Sequence, residues 1–89
     1  MKAVITVLGK DMVGILANVS GICALYNVNI LDVSQSVLQD IFSMIMIADI
    51  SQMSVDLTKL GDEMNELGLK MGLRIHVMHE DIFNTMHRI

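Results

Sequence analysis

Residues 9–30, GKDMVGILANVSGICALYNVNI, join the end of one strand to the start of another through a polar, glycine-bracketed turn and an amphipathic helix. Ile15, Leu16, Val19, Ile22, Cys23 and Tyr26 recur at the spacing of one helical face, so that stripe is expected to be buried. Asn18, Ser20 and Gly21 fall elsewhere on the circumference. In the turn, Asp11 is suited to cap the first helical turn, and Gly9 and Gly14 let a backbone or ligand approach closely. Binding chemistry is expected here.

Working outward, Lys2 to Leu8 (KAVITVL) is apolar on both faces, as in a central strand covered on both sides. The helix is expected from about Val13 to Tyr26, closed by Asn27 in a left-handed conformation. Asn29 to Leu38 resumes as a strand in which Ile30, Asp32, Ser34 and Ser36 alternate with Leu31, Val33, Gln35 and Val37, one face dry and the other wet. Gln39-Asp40 then turns the chain into Ile41 to Ser51. There Phe42, Met44, Met46 and Ala48 face one way and Ile41, Ile45 and Ile47 the other, again both covered.

Ser54 or Asp56 is expected to cap a second helix, with a stripe of Leu57, Leu60, Met64, Leu67 and Met71 and a stop at Gly72. Leu73, Ile75 and Val77 alternate with Arg74, His76 and Met78 in a fourth strand. From Glu80 onward, Ile82, Phe83, Met86 and Ile89 fit one face of a short helix.

The order is βαββαβ over about residues 1–79, with a helical extension over 80–89, and no linker divides the chain into more than one domain. Right-handed crossovers place both longer helices on one face of a four-stranded antiparallel sheet, with strands one and three central. The expected class is α+β, a ferredoxin-like sandwich. The sheet face opposite the helices needs cover, from the C-terminal segment or from a second copy; a homodimer with the terminal helix contributing is the favoured arrangement.

Composition points the same way. A chain of 89 residues buries roughly 60 to 65 per cent of its unfolded surface, yet 53% of it is apolar and only 18% charged, so part of the apolar surface is assigned to an interface. Asp32, Asp40 and Asp49 interrupt the most apolar region before it reaches the run of about 18 residues that a membrane helix needs. Thr6 and Lys10 come too soon after Met1-Lys2 for a signal peptide. A cytoplasmic location is expected. The one cysteine, Cys23, lies on the helix stripe and is read as a buried thiol.

The stretch GKDMVGILANVSGICALYNVNILDVSQ resembles the first half of an ACT domain, the regulatory βαββαβ module attached to many enzymes of amino-acid metabolism. The likeness is carried by the turn followed by Val13-Gly14-Ile15-Leu16-Ala17 and by the Asn29-Ile30 strand start, and the topology extends it to about His79. In length the chain is similar to small stand-alone ACT proteins. The resemblance implies a ligand site, often for an amino acid, between domains: Lys10, Asp11, Met12, Val13 and Gly14 would line its loop side, and Asn29 with Ile30 of a neighbour its strand side.

The residues themselves support the loop side. Free amides at a helix start attract a carboxylate, and Asp11 could accept an ammonium group. An exposed helix end contributes about 0.3 to 1 kcal/mol, whereas millimolar binding needs about 4 kcal/mol, so a useful site must be enclosed by another subunit. The alternative is that Asp11 is merely an N-cap and Gly14 merely permits helix–sheet contact.

Other chemistries fare worse. His76 and His79 are expected on opposite faces of a strand and His87 in the terminal helix, which offers no metal constellation. Asp32 and Asp49 sit in different strands without a nucleophile, and are read as exposed strand ends. Gly9 and Gly14 have phosphate-loop spacing, but Ile15-Leu16 stands where Lys-Ser/Thr is required. The net charge of -4 and three aromatics, Tyr26, Phe42 and Phe83, argue against nucleic acid. The nine methionines are assigned to core or dimer packing. The function expected is regulatory binding of a small molecule, an amino acid first, by a homodimer with no cofactor, metal, membrane role or catalysis of its own. The competing expectation is a structural module that docks a protein partner without a ligand.

Overall fold

In the computed structural model, which describes residues 1–86, the first β-branched run forms β1 (Lys2–Lys10) and the polar turn leads into α1 (Ile15–Leu25). β2 (Asn29–Leu38) and β3 (Ile41–Asp49) make the hairpin, α2 (Leu57–Met71) crosses back, and β4 (Leu73–His79) runs straight into α3 (Glu80–Met86). His87 and Ile89, assigned from the sequence to the terminal helix, lie outside the described residues. The sheet order is β2-β3-β1-β4 with every neighbouring pair antiparallel, so β1 and β3 are central as expected.

The core lies between the sheet and the two long helices. Ala3, Ile5 and Val7 of β1, the Phe42–Met44–Met46–Ala48 face of β3, and Leu73 and Ile75 of β4 pack against Ile15, Val19 and Cys23 of α1 and Leu60 and Met64 of α2. Burying each large side chain of this set contributes about 1.5 to 3 kcal/mol relative to exposure. Asp56 caps α2, its Oδ1 accepting from the Lys59 N–H at 2.8 Å, and Gly72 ends it in the left-handed region. Asn27 takes φ 59°, as expected, and ties down the loop by donating from Nδ2 to the Gln52 carbonyl at 2.8 Å.

Three expectations are corrected. α1 starts at Ile15 rather than Val13, because Gly14 holds φ 93° and breaks the helical run. Val13 is therefore fully exposed and Leu16 is 40% exposed. Asp11 does not cap the helix: Gly14 is the N-cap residue, and no side chain caps it. The alternation in β2 is broken by a bulge between Ile30 and Asp32. Ile30 and Val33 thus stand opposite Ala48 and Met46 and share the core face, while Leu31 and Asp32 are exposed. Asp32 accordingly lies within β2, not at a strand end.

The sheet face away from α1 and α2 takes part of its cover from the terminal helix, as expected. α3 packs on β1 and β4, where Val4 is only 1% exposed. The rest of that face is open among the described residues, with Leu8, Ile41 and Ile45 each about half exposed. Among the described residues, no helix is long and apolar enough to cross a membrane.

Candidate functional site

The turn between β1 and α1 is built by its backbone. The Asp11 N–H donates to the Asp40 carbonyl at 2.8 Å, which pins the end of β1 to the β2–β3 turn. At the helix start the Gly14 carbonyl accepts twice from Asn18, from its N–H at 3.0 Å and from Nδ2 at 2.7 Å. The first amides of α1 cannot bond within the helix. With no side-chain cap, they face the turn ready for an acceptor. Asn18 fixes that geometry and was missed from the sequence, where it reads only as a polar residue off the buried stripe.

Lys10, Asp11, Met12 and Val13 are all exposed around this helix end, with Gly14 partly so. Asn29 is exposed and Ile30 packs against the core. The two groups do not meet within one chain. Lys10 stands opposite Ile41 and Asn29 opposite Asp49, at the two ends of β3. Eight residue steps at 3.4 Å each separate those ends by about 27 Å.

A concavity of about 420 Å³ lies beside α3 on the sheet face away from α1 and α2 and contains none of those seven residues. Thr6, Ser43, Arg74 and His76 are its polar lining. Strand alternation places Arg74 and His76 on that face, and the terminal helix that the sequence assigns to cover it supplies a wall through Phe83 and Met86. His79 Nδ1 accepts from the Asp81 N–H at 3.1 Å and lies 3.6 Å from Asp81 Oδ2. No group of three or more His, Cys, Asp or Glu among the described residues is placed to hold a metal ion.

Elsewhere the titrating groups serve the fold. Burial pushes the Cys23 thiol up to about 11, which leaves it unreactive at neutral pH. Tyr26 and Lys59 both bond Glu63 Oε1, at 3.0 and 2.9 Å, linking α1 to α2. The Lys59 bond first, then the Tyr26 bond, hold the Glu63 carboxyl below its ordinary value, and the same contacts raise Tyr26 and Lys59.

Comparison with known proteins fits this architecture. A family model described as ACT domain matches residues 2–78. A UPF0237 protein of Clostridium perfringens is 54% identical over 89 residues, covering 100% of both chains. A UPF0237 protein of Pyrobaculum aerophilum is 51% identical over 87 residues, covering 98% of this chain and 97% of that one. Among solved structures, an ACT domain protein from Streptococcus pneumoniae is similar with a TM-score of 0.81 at 41% identity, covering 93% of each chain. ACT domains are in general regulatory modules that bind small molecules. With the fold, the strand order and a family match spanning residues 2–78, this chain belongs to the ACT-domain family.

Proposed function

We propose that the chain, acting as one unit over residues 1–89, is a cytoplasmic homodimeric regulator that binds a free amino acid between subunits and has no catalysis of its own. The observation that carries this reading is the uncapped start of α1, where no side chain of the described residues caps the free amides. The competing role for Asp11, that of a plain N-cap, is thereby removed. A ligand carboxylate fits those amides and the positive end of the helix dipole. Exposed Asp11 is left to accept the ammonium group.

The separation of Lys10 and Asn29 supports a site shared with a second subunit. β2 is an edge strand, exposed over nearly its whole length, with exposed Val37 and Leu38 at its end. Two copies pairing antiparallel along β2 about a two-fold axis would bring the partner's Asn29 to the end of the sheet where Leu38, Ile41 and Lys10 lie in one row. α1 lies on the β2 side of the helical layer, so its exposed Leu16 and Leu25 would be covered by the same pairing. This pairing encloses the loop, as an affinity beyond the weak contribution of an open helix end requires.

Calorimetric titration of the protein with the common amino acids tests the proposal, alongside sedimentation. A dimer that takes up one ligand per loop is the expected result. A well-folded chain that stays monomeric at high concentration, or that shows neither heat nor thermal shift with any amino acid, would remove it.

A further inference from the structure

The groove beside α3 is chemically unlike the loop. Its floor is set by register: Thr6 stands opposite both Ile45 and His76, and Leu8 opposite both Ser43 and Arg74, so these side chains rise from one face of three adjacent strands. α3 supplies one wall through Phe83 and Met86. The volume of about 420 Å³ falls within the range of small-ligand sites, which pair mainly apolar linings with a few placed polar groups.

Charge decides what such a groove would accept. The chain has ten acidic residues against six Lys and Arg, yet among the described residues no carboxylate lines this groove. The Arg74 guanidinium has no anionic partner among the described residues, whose ion pairs are Lys59–Glu63 and His79–Asp81. His76 stands two residues along the same strand face, about 7 Å away, and adds an imidazole donor. A planar guanidinium offers a two-pronged match to a carboxylate. An ammonium group would meet a like charge there and find no counter-ion among the described residues.

We propose that this groove binds a small monocarboxylate that has an apolar tail and no ammonium group. The carboxylate bonds Arg74 and His76, and the tail lies along Leu8, Ile45, Met78 and Phe83. The site is independent of the loop at the start of α1 and differs from it in rejecting free amino acids. Fatty acids and branched 2-oxo acids share this chemistry.

Amide NMR of the full-length protein titrated with sodium octanoate, 4-methyl-2-oxopentanoate, octan-1-ol and leucine tests it. Saturable shifts at Thr6, Leu8, Ile45, Arg74 and His76 with a carboxylate are expected, with residues 10–17 unmoved. Octan-1-ol, carrying the same tail without the charge, and the Arg74→Gln variant with octanoate should each bind roughly tenfold more weakly or worse. Ile45→Trp, at an exposed position, should block the groove without unfolding the chain. Binding of only one carboxylate supports the site and identifies the tail it takes. Absence of saturable shifts with both acids, undiminished binding by Arg74→Gln, or burial of this face by self-association would overturn the proposal. Leucine shifts confined to residues 10–17 leave it standing, since they report the other site.

Discussion

A β-carbon on Gly68 would stand 2.6 Å from the carbonyl oxygen of Leu73, so α2 lies backbone against backbone on the start of β4. The Leu73 carbonyl belongs to a paired strand and cannot swing aside as a side chain could. Gly68→Ala is therefore expected to lose about 1 to 3 kcal/mol through overpacking, more than the roughly 1 kcal/mol that alanine contributes in a helix interior. Gly61, on the same helix, has nothing within 4 Å of its would-be β-carbon. Gly61→Ala should raise the urea midpoint and Gly68→Ala lower it; equal midpoints would contradict the close contact.

The Tyr26–Glu63–Lys59 cluster should give stability a two-sided pH dependence. Glu63 is held below its ordinary value of 4.5, so its contribution is present above that pH and is lost as pH falls through the lower, folded value. Tyr26 and Lys59 are raised above 10.0 and 10.5, so theirs is present below those values and is lost as pH rises through the folded ones. Glu63→Gln should flatten the acid limb of a urea-midpoint profile and Tyr26→Phe part of the alkaline limb. An unchanged acid limb in Glu63→Gln would show that other carboxylates govern it.

Cys23 is 1% exposed and its thiol is raised to about 11 by burial. Native protein should resist thiol reagents at neutral pH, with labelling that tracks unfolding. Cys23→Ser places a hydroxyl in an apolar site and should cost about 1 to 3 kcal/mol. Rapid labelling of the folded protein would contradict the packing of α1 on the sheet.

Sharing of the loop site between subunits has a complementation signature. Asp11→Ala and Asn29→Ala should each abolish amino-acid binding, because each removes one wall of every site in its own homodimer. In a freely exchanged equal mixture, half the dimers are mixed, and each mixed dimer keeps one site with both walls intact. Binding should then return to about one site in four. A mixture as inactive as its parents would mean that no site is built from both subunits.

Much of the fold was legible because periodicity records which residues share a face. The apolar face of β3 built from Phe42, Met44, Met46 and Ala48, the Gly72 stop and the left-handed Asn27 all follow from neighbours a few positions apart, whereas the structure chose Asp56 over Ser54 as the α2 cap. The candidate loop was legible for the same reason: a polar turn between glycines at a helix start is a local pattern. Leu16 was misjudged because a helix beginning at Ile15 turns it about 100° away from the buried residue before it.

The sequence by itself determined the order of elements, the central strand pair and the polar turn that opens α1, since each depends on local preference and on burial along one element. Only the tertiary structure decided that a bulge turns Ile30 inward, that Gly68 meets Leu73, that α3 walls a groove holding Arg74 and His76, and that Lys10 and Asn29 stand at opposite ends of the sheet. These are distances between elements. They are set by strand register and layer packing, which bring together residues whose separation along the chain carries no trace of their separation in space.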